Sequence, residues 1–259
     1  MADREKEGYW TPLEKWARDH LLWPVTRPLG IIPQAANIVT IAGFFILVAA
    51  IIDFYHRKSL ERQIWFLTAA WLTDFFDGPI ARNNNSVTAF GTAADHTRDY
   101  FLGFWMIFLS LNFTPATGNF AVLMRWIFLL SFFGSLGIMC GFWLYSREKR
   151  WERSFQPYPV FLKEFLLNDL VTSATARGHT FIFAAGDIFY IAGIAWEKDF
   201  YQVIGAVLLT IQLGILGFYL HEIWWQKYED RVYKIRKALQ TKIKDPEEIL
   251  QRIKEWIKE

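Results

Sequence analysis

This chain of 259 residues holds one cysteine, Cys140. A single thiol excludes an intramolecular disulfide and a cysteine-rich metal site, and its place in an apolar run predicts a buried structural residue. An excess of either charge is also missing: 28 Lys and Arg against 26 Asp and Glu leave a net charge of +2. That balance excludes a general polyanion-binding role, so no nucleic-acid partner is expected. No secretory signal is expected either, because the first thirty residues carry acids and prolines and lack a clean apolar stretch. Internal repeats and low-complexity tracts are absent. The apolar residues, 53% of the chain, also lack a sustained helical or strand period and arrive in blocks. With 18% aromatics and 21% charged residues gathered between the blocks, that pattern excludes a soluble globule and suits a multi-pass membrane protein.

Six blocks approach the roughly 20 apolar residues that a membrane span requires. They cover residues 35–54, 64–80, 87–111, 120–145, 180–196 and 200–225. Connections such as 112–119 and 197–199 are short and force antiparallel neighbours. The expected fold is an all-α membrane protein of six transmembrane helices. Its catalytic domain would cover residues 34–226, between an interfacial segment (1–33) and a cytoplasmic helical tail (227–259). In the first segment, residues 9–29 mix Trp10, Trp16 and Trp23 with Lys15 and Arg18, the profile of a helix lying on a membrane surface. In the tail, Asp245 and Pro246 read as the cap and first position of a new helix. Lys and Arg concentrate in the N-terminal segment, around Arg147 to Arg153 and in the tail, which places those parts in the cytoplasm. The turn around Asn83, Asn84 and Asn85 falls on the same side.

Acids interrupt the second and third blocks. Asp74, Asp77, Gly78, Ala81, Arg82, Gly91, Asp95 and Asp99 stand in the pattern D-x-x-D-G-x-x-A-R, eight residues, G, three residues, D, three residues, D. A carboxylate inside a membrane helix costs about 3 kcal/mol even on the lenient insertion scale. Asp74 and Asp77 share one helix face, as do Asp95 and Asp99. Antiparallel packing across the Asn turn would bring all four together, and four carboxylates in one place require a cation. Hard oxygen ligands without His or Cys favour Mg²⁺, Mn²⁺ or Ca²⁺. Gly78 and Ala81 leave room for a ligand to approach, and Arg82 offers a fork suited to phosphate. The set describes a pyrophosphate site at the membrane surface.

On these eight positions the chain resembles the CDP-alcohol phosphatidyltransferase family without a departure. Asn37 and Thr40 are similar to the family's N-x-x-T segment. The resemblance implies a metal-dependent transfer, with Mg²⁺ or Mn²⁺ as cofactor and two ions in the site. An alcohol would attack the phosphorus bonded to the lipid moiety of a CDP-lipid, and CMP would leave. By position, Asp74, Asp77 and Asp95 would hold metal, and Asp99 would join the metal set and act as general base. Asn37, Thr40, Asp74, Gly78, Ala81 and Arg82 would form the CDP site. Gly91 would serve close helix packing or ligand approach. A homodimer among membrane lipids, with its active site on the cytoplasmic side, is implied by analogy.

The acceptor alcohol is not written in the signature. Arg147, Arg150, Arg177 and His179 are candidate contacts for it, from two basic stretches flanking the fourth and fifth blocks. Asp187, an acid within the fifth block, is a lesser functional candidate, with a polar contact between helices as the plainer reading. A soluble CDP-choline or CDP-ethanolamine donor with a lipid alcohol acceptor is the close alternative. A cation transporter using the acids as an ion site, or an inactive scaffold, are the readings from other classes.

Overall fold

In the computed structural model, the described residues are 20–57, 59–169 and 174–242, and all their regular structure is helical. Residues 20–26 are helical and lead through a 3₁₀ turn at Pro28–Ile31 into α1 (Ala35–Arg57). There follow α2 (Leu60–Asn83), α3 (Ala89–Phe113), α4 (Asn119–Glu152) and the short α5 (Tyr158–Glu164), extended by a π-helical turn at Phe165–Asp169. The described chain ends in α6 (Ala174–Ala195) and α7 (Asp199–Lys242).

Each of the six apolar blocks is a helix, but four of them are long and apolar enough to cross a membrane among the described residues: Ala35–His56, Asn119–Trp151, Thr175–Ala195 and Asp199–Trp224. The expectation of six spans is therefore met in length by α2 and α3 but not in composition, because these two carry the charges of the acidic motif. The surface is that of a lipid-facing bundle. Phe45, Trp65, Trp126, Phe133 and Phe218 are exposed, while the interior holds Leu47, Leu67, Met106, Phe128 and Leu209. Cys140 points outward, against the expectation that it is buried.

The last span and the start of the tail form one helix of 44 residues, α7. At 1.5 Å per residue it is about 66 Å long, roughly twice the thickness of a hydrocarbon core. The surface-helix expectation for residues 9–29 is described only from residue 20, and Asp245 and Pro246 lie outside the described residues.

Two local features aim the acidic motif. The α2–α3 turn closes through backbone bonds from Asn84 to Ile80, Asn85 to Arg82 and Ser86 to Ala81, with Asn85 in the left-handed region at φ 50°. The Thr88 hydroxyl then caps α3 by accepting from the Gly91 amide at 3.0 Å. α2 and α3 are thus antiparallel neighbours across five residues. Asp74 lies nine residues before the end of α2 and Asp99 ten after the start of α3, so both sit about 15 Å from the turn.

The far end of the bundle is tied by a second polar set. The Ser110 hydroxyl donates to Asp187 Oδ1 at 2.6 Å, and Thr114 pairs with the Tyr190 hydroxyl at 3.0 Å. Arg125 donates to the Thr114 carbonyl at 2.9 Å. Asp187 therefore makes a contact between α3 and α6, the plainer of the two readings of an acid in an apolar block.

Candidate active site

The four aspartates meet around a fifth residue, Arg98, which is fully buried at 0% exposure. Its Nη1 donates to Asp77 Oδ2 at 2.8 Å. Its Nη2 faces Asp74 Oδ1, Asp95 Oδ1 at 2.5 Å and Asp99 Oδ1 at 3.1 Å. Five side chains from two helices therefore form one cluster of four carboxyl groups and one guanidinium.

The carboxylates are not equivalent. Asp74, Asp95 and Asp99 keep 26%, 34% and 27% of their side-chain surface, whereas Asp77 keeps 6%. Asp77 Oδ2 is also held by the Thr40 hydroxyl at 2.8 Å, which in turn reaches the Ala36 carbonyl at 3.1 Å. The N-x-x-T threonine thus fixes an acid from α1.

The hard oxygen donors fit a divalent metal. One oxygen each from Asp74, Asp95 and Asp99 lies within 4.8 Å of the others. Two oxygens on one Mg²⁺ are at most about 4.2 Å apart, so sub-ångström movements would close the set. Among the described residues this is the group of acids, His and Cys that converges in this way, and Asp77 stands outside it.

A cavity of about 490 Å³ runs from the acids toward α6. The acids, Gly78, Arg82 and His96 line one part, and Arg177, His179 and Thr180 line the α6 wall. Trp71, Phe104, Phe142 and Tyr219 give it an apolar body, and Ile138 and Tyr219 belong to a small buried cluster beside it. Charged groups on two walls with an apolar body between them suit an amphiphilic ligand.

The other expected contacts are distributed as follows. Gly78 and Arg82 line the cavity, while Ala81 packs beside Ala35, Ala36 and Ile80. Asn37 accepts from the Thr88 hydroxyl at 3.1 Å and donates to Gln34 at 3.3 Å, so its amide serves the α1–α3 junction. Arg177 and His179 reach the cavity, but His179 Nε2 accepts from the Gln212 amide at 2.7 Å, and Gln212 accepts from Ser131 at 3.1 Å. That ring is a braced wall. Arg150 donates to the Gln156 carbonyl at 2.7 Å and lies over Tyr158 and Phe161, and Arg147 lies over Trp143. Both are absent from the cavity lining. Arg98 is the residue that the motif does not single out. A signal for it exists, since it is the one Lys or Arg between Asp95 and Asp99, three residues after the first and one before the second.

Gly91 is required by contact. A Cβ there would collide with Asn37 Oδ1 and sit 3.1 Å from Thr88 Oγ1. Gly91→Ala is expected to destabilise the protein by about 1–3 kcal/mol despite the better helix propensity of alanine. Gly214, whose Cβ would meet nothing within 4 Å, is the control. Thermal unfolding in detergent should place Gly91→Ala below wild type and Gly214→Ala at or above it.

Residues 34–212 match the CDP-alcohol phosphatidyltransferase family, so this chain belongs to that family of phosphatidyltransferases acting on CDP-linked alcohols. Among curated proteins it is similar to the CDP-diacylglycerol–glycerol-3-phosphate 3-phosphatidyltransferases of Rickettsia felis and Rickettsia typhi, each 43% identical over 68 residues. The same enzyme of Rickettsia bellii is 41% identical over 68 residues. The aligned segment spans 26% of this chain and 38% of the length of each of these relatives. No solved structure gives a significant match.

Proposed function

We propose that this protein transfers a phosphatidyl-type group from a CDP-lipid to a phosphorylated polyol of the glycerol 3-phosphate kind, releasing CMP. The observation that carries this reading is the cavity that joins Asp74, Asp95 and Asp99 to Arg177. It offers a diphosphate position and, on another wall, an arginine for a second anion. The names of the Rickettsia relatives support the same acceptor.

In this reading Asp74, Asp95 and Asp99, with Asp77 at their edge, hold divalent metal. Bound there, Mg²⁺ or Mn²⁺ supplies charge neutralisation for the pyrophosphate. Gly78 leaves space against α2 for the CDP, and Arg82 pairs with a phosphate oxygen. Asn37, Thr40 and Ala81 act from behind by fixing α1 against α2 and α3. Asp99 takes the proton of the acceptor hydroxyl as that oxygen bonds to the lipid-side phosphorus. The bond from that phosphorus to the bridging oxygen breaks, and the electron pair leaves with CMP.

The same reading has α2 and α3 crossing the membrane beside the other four helices, with their charges turned inward on Arg98. The α2–α3 turn would lie on the cytoplasmic side, as the Lys and Arg bias requires. Residues 34–226 would be the catalytic domain and would pair as a homodimer, a state that light scattering of the purified protein would test.

The direct test is CMP release from CDP-diacylglycerol with Mg²⁺ or Mn²⁺ and a panel of acceptors, with the lipid product identified by mass. Glycerol 3-phosphate should be preferred over glycerol, inositol and serine. Turnover with CDP-choline and a diacylglycerol alone would reverse the donor assignment. Arg177→Gln should raise the KM for glycerol 3-phosphate about 10- to 100-fold, the loss of one charge-assisted hydrogen bond, and leave that for the CDP-lipid within a few-fold. An unchanged acceptor KM would remove Arg177 from the role.

A further inference from the structure

Arg98 Nη2 stands among the same three carboxylates that converge as a metal set. Two N–H groups on that nitrogen face three anionic oxygens, so the guanidinium cannot satisfy all of them with full bonds. The cluster still sets four carboxyl groups against one guanidinium with no exposure. Among the described residues, Arg98 Nε is itself buried without a hydrogen-bond partner, so the guanidinium is anchored at its Nη atoms alone. An ion held at about 2.1 Å by the Oδ1 atoms of Asp74, Asp95 and Asp99 that face Nη2 would need the space that this nitrogen fills. Guanidinium and metal therefore compete for one position.

We propose that Arg98 is an internal counter-cation that occupies the metal position, and that divalent metal binds only as Arg98 withdraws from Asp74, Asp95 and Asp99. This rests on the metal site of the proposed function and adds a device that holds the metal-free protein together. Asp77 remains paired when the guanidinium leaves, because Thr40 also bonds its Oδ2. The other three carboxylates exchange one cation for another. Metal affinity is then lower than four acids alone would give, and the helix pair α2–α3 keeps its geometry without metal.

The experiment is Mn²⁺ binding to the purified full chain without lipid substrate, with free Mn²⁺ counted by electron paramagnetic resonance. Arg98→Gln should bind Mn²⁺ at least about tenfold tighter than wild type, since the ion no longer displaces a positive charge. Its melting temperature should fall without metal and rise more with Mn²⁺ than that of wild type. Arg98→Lys, which keeps the charge and reaches fewer oxygens, guards against a variant that does not fold and should bind with intermediate affinity. Equal or weaker Mn²⁺ binding by both variants would overturn the proposal, because an arginine that merely braces the ligands would give that result. Asp95→Asn separates the two readings. If wild-type Mn²⁺ binding survives that change, the metal site itself is misplaced and the competition falls with it. If binding is lost there but is equal in wild type and Arg98→Gln, the metal site stands and only the competition is overturned.

Discussion

Asp99→Asn is expected to lower CMP release by about 10²- to 10⁴-fold, the usual contribution of a positioned general base. Asparagine keeps the shape of the side chain and its acceptor oxygen toward Arg98, which lies 3.1 Å from Asp99 Oδ1. It cannot take a proton from the acceptor hydroxyl. The change also removes one of four like charges packed around a single arginine, so repulsion within the cluster falls. The variant should therefore fold and melt at or above the wild-type temperature. Loss of turnover with retained or increased stability separates chemistry from structure, which few substitutions at a buried site can do. Turnover within threefold of wild type would remove Asp99 from the base role.

Removal of divalent metal should stop transfer altogether. Even with Arg98 as its internal cation, the cluster presents more acids than cations to the cavity, and so a surplus of negative charge. A diphosphate donor adds at least two negative charges of its own. Two like charges 4 Å apart cost about 4 kcal/mol at an effective dielectric of 20, so even one uncompensated pair opposes binding by about a thousandfold. Chelation by EDTA should reduce CMP release to background, and Mg²⁺ or Mn²⁺ should restore it. Asp95→Asn should raise the metal concentration needed for half-maximal rate. Full turnover in excess chelator would exclude metal from the mechanism.

The shared faces of the acids and the six helices are legible in the amino-acid sequence, each for a local reason. Apolar length fixes helix positions, because unpaired backbone groups are not tolerated in lipid. The limits of α1 and α3 agree with the blocks to within three residues. The i, i+3 and i, i+4 spacings place Asp74 with Asp77 and Asp95 with Asp99 on shared faces whatever the rest of the chain does. Thr88 and the three asparagines carry the chemistry of a helix end and a left-handed turn, which depend on neighbours in sequence, whereas the close approach at Gly91 is to Asn37 on α1.

What the sequence could not supply was the choice among side chains that are equally basic. In one dimension Arg98 differs from Arg147, Arg150 and Arg177 only by its place between two acids, which does not say where its side chain goes. Only the packing of α2 on α3 put Arg98 inside the acids, only α6 turned Arg177 into the cavity, and the α4–α5 corner retained Arg150 on its own carbonyls. The division of the aspartates also needed the fold, since Thr40 comes from a helix 37 residues away to hold Asp77. Spacing along one helix is set by the backbone and survives translation into three dimensions. The partner of a long charged side chain is set by which helices meet, and in this chain that decided where the positive charge stands among four negative ones.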